Sequence, residues 1–335
     1  MKPRLPRFIS CTLLVAAFAG CARKTEQAGH APAATAESTV AAMARDSAAR
    51  SIAFHDSVES VRRRGYTRAR VTSPHALFAL RDSLGRAAWT WVLKINRVDS
   101  AHVHQGDTLI VPNVSPQPGD TLGFGLSPFP LALDAVRDSA KLLLVSRRVQ
   151  AFAVYDSGKL VRWGPVSTGR RETPTPAGLY RTNWKDKQRY STVDDSWLLK
   201  WYVNLQNFAG VSLHEYELPG RPASHSCVRL LESDARWLYG WADTWRVAPD
   251  HRTVIQEGSP VVVWGRWDWV GRAPWKRLPE DADATTIGDD ELAEALRLLG
   301  GAKAPPDTIP PAKAKSATPV RSDSTLHAAA AARSG

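Results

Sequence analysis

The order of strand and turn signals predicts a mostly β domain with a few helices, preceded by a small α/β segment and followed by a disordered tail. Three observations carry this expectation. First, short apolar runs at 141–149, 151–155 and 160–166 succeed one another, with the turn Asp156-Ser157-Gly158 between the last two. Runs joined by so few residues pair antiparallel. Second, a helical stretch at 76–84 and an apolar one from Trp89 to Arg97 lead to Gln105-Gly106-Asp107-Thr108-Leu109-Ile110-Val111-Pro112, a Gly-Asp turn into a short strand closed by proline. Third, from Lys303 the chain is Pro, Ala, Lys, Ser and Thr, a composition that buries too little apolar surface to fold.

Taken in order, the chain of 335 residues opens on Lys2, Arg4 and Arg7, followed by a charge-free, mostly apolar run at 8–20. That run is shorter than the ~20 residues a bilayer-spanning helix needs, and the pattern is that of a secretory signal. It ends Ala17-Phe18-Ala19-Gly20-Cys21, which resembles a lipobox. The expectation is a leader at 1–20, removed to leave an acylated Cys21 on a membrane surface. Ordinary cleavage after Ala17-Phe18-Ala19 is the alternative. Residues 21–70 then read as a polar tether and an Ala-rich helix, 38–64, whose Arg62, Arg63, Arg64 and Gly65 suit a helix C-terminus.

The α/β segment is placed at 71–113. At 114–140, prolines 116, 118, 128 and 130 and glycines 119, 123 and 125 read as a linker or an extended segment crossing a surface. The β domain is expected at 141–265. Within it, Pro174 and Pro176 stiffen an extended loop that enters a strand, and Val211-Ser212-Leu213 reads as another. Residues 232–245 read as a helix, and Val261-Val262-Val263-Trp264 as a closing strand. The final segment, 266–335, holds Trp267, Trp269 and Trp275 among basic residues, then a short helix at 289–299 and the tail. The tryptophans suit either a carbohydrate platform or a packing flap held by cation–π contacts.

A formal charge of +11 suits anionic surroundings. No basic run is interleaved with aromatics and no zinc-finger spacing occurs, so nucleic acid is not the expected partner. No metal or organic cofactor is called for.

Cysteine arithmetic singles out one residue. Cys11 leaves with the leader and Cys21 is acylated, so Cys227 has no disulfide partner. A free thiol in an exported protein is a liability unless its reactivity is used. His214 and His225 precede it, and Arg229 follows it by two. An imidazole that takes the thiol proton converts a weak nucleophile into an efficient one. Either histidine alone is more ordinarily a hydrogen-bonded structural imidazole; two converging on an unpaired thiol point to catalysis. Backbone N–H groups around Ser226 and Cys227 are candidate oxyanion donors, and Arg229 offers a fork for a carboxylate.

The line His214, then Ser224-His225-Ser226-Cys227-Val228-Arg229, resembles the L,D-transpeptidase (YkuD-like) catalytic domain. Its signature is a histidine, a loop, and Ser/Thr-His-Gly-Cys followed by a hydrophobic residue and Arg or Asn. Leu218-Pro219-Gly220-Arg221-Pro222-Ala223-Ser224-His225 is similar to a short-loop branch of that family. Pro165-Val166-Ser167-Thr168-Gly169 and Thr173-Pro174-Thr175-Pro176-Ala177-Gly178 are similar to two further motifs. Ser226 stands where the family has glycine, a position at which glycine would permit a positive φ or a close backbone approach. Upstream, Ile95-Asn96-Arg97 and Gly106-Asp107-Thr108-Leu109-Ile110-Val111-Pro112 resemble the second half of a LysM peptidoglycan-binding module that lacks its first strand.

The resemblance implies a mostly β sandwich or mixed sheet. It implies that Cys227 attacks the carbonyl at the L-centre of diaminopimelate in a tetrapeptide stem, and that an amine acceptor resolves the thioester into a 3→3 cross-link. By carry-over His214 is the general base, His225 a supporting contact, and Arg229, Ser224 and Ser226 substrate contacts. The implied partners are peptidoglycan stem peptides, in the periplasm of a lipid-anchored, outer-membrane protein. Water or a protein lysine as acceptor, and a non-catalytic wall-binding lipoprotein, remain as alternatives.

Overall fold

The computed structural model describes residues 34–114, 121–207, 210–250 and 253–302. The leader, Cys21 and the tail beyond 302 lie outside them. The chain divides into two compact units at Ser51 and Ile52. What is described of the first is the start of α1 (Ala34–Arg63), an Ala-rich helix whose exposed Asp46 and Arg50 pair one turn apart. All further elements belong to the second unit.

That unit begins with the end of α1, which stops at Arg62 and Arg63 before Gly65 turns the chain at φ 68°. Then come β1 (Tyr66–Arg70), α2 (Pro74–Asn96) and β2 (Thr108–Pro112). β1 and β2 pair antiparallel, Ala69 opposite Leu109. β1 lies in the stretch assigned to the tether. Its YTRAR pattern carries too little apolar signal to be read without its partner. α2 opens on Ser73, whose hydroxyl accepts the Ala76 N–H, with Pro74 in the first turn. Gly85, at φ 72° and ψ 167°, breaks it in two. The second half buries Trp89, Val92 and Leu93 against Val71, Leu109 and Val111, a small core of its own.

After α3 (Thr121–Gly125) come β3 (Lys141–Ser146), β4 (Ala151–Asp156), β5 (Lys159–Ser167), β6 (Gly178–Arg181), β7 (Lys185–Tyr190), β8 (Leu198–Gln206), β9 (Val211–Glu215) and β10 (Val228–Leu230). α4 (Glu232–Trp241), β11 (Arg246–Val247), β12 (Val254–Gln256), β13 (Pro260–Trp264) and α5 (Asp289–Leu299) complete the order. Nine strands form one mixed sheet, β6-β13-β3-β4-β5-β10-β9-β8-β7. β13 runs parallel to β3 and β10 parallel to β9; the other pairings are antiparallel. The mostly β fold with few helices is therefore present, in its mixed-sheet form.

Strict alternation divides the central strands between two cores. Leu142, Leu144, Ala151, Ala153, Val262 and Trp264 face Trp275, Leu278, Ala295 and Leu298. Leu143, Val145, Phe152, Val154, Val261 and Val263 face the other way, toward Ala235 and Leu238 of α4. A sheet covered on both faces reads as continuous apolar runs, which is why β3, β4 and β13 are legible in the sequence. β7 (KDKQRY) is a charged edge strand and β10 only three residues long, so neither is.

Three further readings are refined by the structure. Of the two readings of 114–140, a linker or a segment crossing a surface, the second fits its described part, which buries Leu126, Phe129, Leu133 and Val136 in the main core. Of the two readings of the tryptophans after 265, packing fits Trp275, which is fully buried in that same core with the Arg97 guanidinium 5.3 Å from its ring centroid. The helix expected over 232–245 ends at Trp241. There the chain turns back to the sheet: the Thr182 hydroxyl donates to the Asp243 carbonyl, and the Trp245 N–H donates to Asn183. Among the described residues no helix is long and apolar enough to cross a membrane.

Candidate active site

The site is set by the parallel pairing of β9 and β10. Val228 lies opposite Leu213 and Arg229 opposite His214. Leu213, Val228 and Leu230 point into the α4-side core. Alternation then turns Ser212 and His214 of β9 to the opposite face, together with Arg229 and the residue just ahead of β10, Cys227. The Cys227 Sγ lies 3.1 Å from the Ser212 Oγ and donates to the Gly210 carbonyl at 3.0 Å. Cys227, His214, His225 and Arg229 all line one cavity of about 300 Å³. Its other wall is Tyr202 on β8 and Arg189, Val193 and Trp197 from the β7–β8 hairpin.

His214 is 3% exposed and its Nδ1 lies 2.8 Å from the Glu215 carbonyl. A carbonyl can only accept, so Nδ1 carries the proton and Nε2 is left with its lone pair. Burial holds the imidazole neutral, its pKa lowered to about 4, with Arg229 adding to the effect and the Glu215 bond opposing it. The ring is stacked on Tyr202 at 6.2 Å. Burial also raises the Cys227 pKa, against smaller lowering effects from Ser212 and Arg229. The resting pair is thus a neutral thiol and a neutral imidazole, an arrangement suited to proton transfer on attack rather than to a standing ion pair.

His225 packs on Trp197 at 5.1 Å. Burial and the nearby Arg170 and Arg229 lower its pKa. Arg229 lies over the face of Tyr216, 4.5 Å from its centroid, with Nη1 3.5 Å from the Glu217 carbonyl.

The upstream motifs converge on the loop that holds the cysteine. Thr168 accepts from the backbone N–H groups of Ala223 and Ser224, and Arg170 N–H donates to Ser224. The Thr175 hydroxyl accepts from Gly169 N–H and donates to the Ser226 carbonyl, both at 2.8 Å. Gly169 has no room for a side chain, since a Cβ there would come within 2.2 Å of the Thr173 carbonyl oxygen. Ser224 is buried and its hydroxyl donates to the Cys227 carbonyl. Ser226 adopts φ 85°, a conformation that favours glycine. Sequence reasoning did not mark Ser212, Tyr202, Tyr216, Trp197 or Arg189 as site residues. For Ser212 the period-two spacing to His214 is a usable signal; the others arrive from strands that contact the cysteine only in three dimensions. Among the described residues, no group of three or more His, Cys, Asp or Glu is placed to hold a metal.

Fold and cavity together define a mostly β domain in which one thiol and two imidazoles, His214 and His225, line the same cavity. Residues 140–263 match the family profile of the L,D-transpeptidase catalytic domain, YkuD. Similar solved structures include an L,D-transpeptidase from Stackebrandtia nassauensis (26% identity, 38% of this chain and 57% of that one, TM-score 0.31). Others are an L,D-transpeptidase from Mycobacterium tuberculosis H37Rv (23%, 38% and 58%, 0.30) and one from Mycobacterium smegmatis (20%, 38% and 59%, 0.30). The chain spans under three-fifths of the length of these structures. No curated protein sequence matches it.

Proposed function

We propose that the chain is a peptidoglycan L,D-transpeptidase that forms an acyl-enzyme on Cys227. The observation that supports the reading is one cavity lined by both the Cys227 thiol and an imidazole, His214, whose Nδ1–H is held by the Glu215 carbonyl. In this reading, Nε2 of His214 takes the Cys227 proton as sulfur attacks the carbonyl at the L-centre of diaminopimelate in a tetrapeptide stem. Backbone N–H groups around Ser226 and Cys227 stabilise the oxyanion. The imidazolium returns its proton to the departing D-Ala amine, leaving a thioester. A neighbouring stem amine attacks that thioester, loses a proton to His214, and releases the thiolate as the 3→3 cross-link forms.

His225 and Arg229 face the same cavity and serve as substrate contacts, Arg229 through a donor carboxylate. Ser224 and Ser226, expected as substrate contacts, are not among the residues that line the cavity and are assigned instead to shaping the loop backbone, Ser224 through its bond to the Cys227 carbonyl. The same proposal places the protein in the cell envelope, tethered through an acylated Cys21, with the β1–α2–β2 unit as a glycan contact.

Incubation of the protein with disaccharide-tetrapeptides, followed by product mass analysis, tests the reading. Cross-linked dimers with loss of D-Ala, absent for Cys227→Ala, are the expected outcome. Tripeptide monomers alone would identify water as the acceptor, and turnover by Cys227→Ala would remove the cysteine mechanism.

A further inference from the structure

The strap between β9 and β10, residues 216–220, is held from two sides. On one side it supports Arg229. The guanidinium lies on the Tyr216 ring and near the Glu217 carbonyl, and Tyr216 N–H donates to Leu230. On the other side it is clamped by the residues just after α2. Asp99 grips Leu218 twice, its carboxylate accepting the Leu218 N–H at 2.7 Å while its own N–H donates to the Leu218 carbonyl at 3.1 Å. Gly220 N–H donates to the Arg97 carbonyl at 3.0 Å, and Val98 bridges to Pro219.

The clamp is built for close approach. Gly220 sits at φ 73°, and a Cβ there would meet Val98 Cγ1 at 3.1 Å. Leu218 is fully buried. The Asp99 carboxylate is itself fixed by the Ala101 and His102 N–H groups and by the His102 ring, Nδ1 lying 2.9 Å from both oxygens. Val98 also belongs to the core of the β1–α2–β2 unit, with Trp89 and Val92, and Asp99 caps the turn at 100–102; the bonds to Leu218 and Gly220 are additional to that packing and tie the unit to the strap.

We propose that Asp99 is a positioning residue for the Arg229 guanidinium, acting through the 216–220 strap, so that recognition of an anionic acyl donor at the cavity depends on the β1–α2–β2 unit. The proposal rests on Arg229 being the anion contact of the reading above. It extends that reading by placing a specificity determinant outside the YkuD-type domain.

The test compares alkylation of Cys227 by iodoacetate, an anion, with alkylation by neutral iodoacetamide, in the full chain, with the Cys227 peptide quantified by mass. A correctly placed guanidinium favours the anion. Arg229→Ala is expected to lower the iodoacetate-to-iodoacetamide rate ratio about three- to tenfold. Asp99→Ala is expected to lower it to nearly the same value, and the double variant no further. Asp99→Asn keeps one acceptor, which can take the Leu218 N–H only by turning its amide NH2 toward the Ala101 and His102 N–H groups, so it should restore part of the ratio lost in Asp99→Ala. Gly220→Ala, which displaces the strap from its other end, should reproduce the loss. Because both reagents act on one sample, a general opening of the fold raises both rates and leaves no charge selectivity to be restored by Asn.

With a tetrapeptide donor, Asp99→Ala should raise KM several-fold with kcat within about twofold, as loss of uniform binding requires. A parent-like ratio in Asp99→Ala, or additive losses in the double variant, overturns the proposal. If the protein turns over no tetrapeptide at all, the functional reading fails while the alkylation ratio still decides the role of Asp99.

Discussion

At the scale of single residues, the chemistry turns on where His214 keeps its proton. Sequence alone offered two imidazoles. Burial on β9 and the Glu215 carbonyl make His214 a neutral base with its lone pair on Nε2. The same burial has a stability consequence. The unfolded imidazole binds a proton near pH 6.5, whereas the folded one resists until about 4. Between those values the unfolded state holds more protons, so stability rises with pH and is lost as pH falls through that window. The expected loss at pH 4 is on the order of 3 kcal/mol. Thermal melts of the parent and of His214→Gln at pH 7, 5.5 and 4.5 should show a shallower fall for the variant; parallel curves would contradict this account.

At the scale of elements, the loop 223–227 is held by bonds that arrive from β5 and from the Thr-Pro stretch. Thr168, Gly169 and Thr175 close over its backbone, which is the physical reason these motifs occur together in one chain. Within this frame Ser226 is forced to φ 85°. A non-glycine residue held there costs on the order of 1 kcal/mol or more. Ser226→Gly removes that strain but loosens the unfolded chain, so the expected net gain is small, about 0.5–1 kcal/mol. A melting temperature a few degrees above the parent, read by circular dichroism, is the expected outcome. A fall of similar size would show that the serine hydroxyl contributes more than its backbone costs.

At the scale of the whole second unit, Arg97 joins three regions. It caps α2 in the left-handed conformation, its Nε donates to Val149 in the β3–β4 turn, and its Nη1 donates to Lys94 and Ile95. Its guanidinium lies between Trp163 and Trp275, 5.7 and 5.3 Å from their centroids. Burial lowers its pKa to about 9, with Tyr66 opposing the shift. The buried charge is costly, yet removing it takes the side-chain donor from the Val149 and Ile95 carbonyls, each worth about 1–3 kcal/mol when unsatisfied, while Lys94 keeps the Arg97 backbone N–H. Arg97→Met is therefore expected to cost about 2–4 kcal/mol in chemical denaturation. Arg97→Lys should recover little, since one ammonium cannot span carbonyls that a planar fork reaches from two sides.

What the sequence determined by itself follows from local rules. Alternating and continuous apolar runs marked β3, β4, β5 and β13, because a sheet buried on both faces writes itself directly into the chain. The unpaired Cys227 and its neighbours His214, His225 and Arg229 were marked by residue type, since that chemistry admits few alternatives. Tertiary structure alone decided the rest. β1 is visible only once β2 pairs with it, and the edge strand β7 is charged because it faces water. Tyr202 and Trp197 join the cavity from β8 and the β7–β8 hairpin, remote from the cysteine in sequence, and Tyr216 from the strap that follows β9. Only the fold makes residues 97–99 a clamp on the strap behind Arg229, because hydrogen bonds between Asp99 and Leu218, 119 positions apart, leave no mark in local sequence pattern.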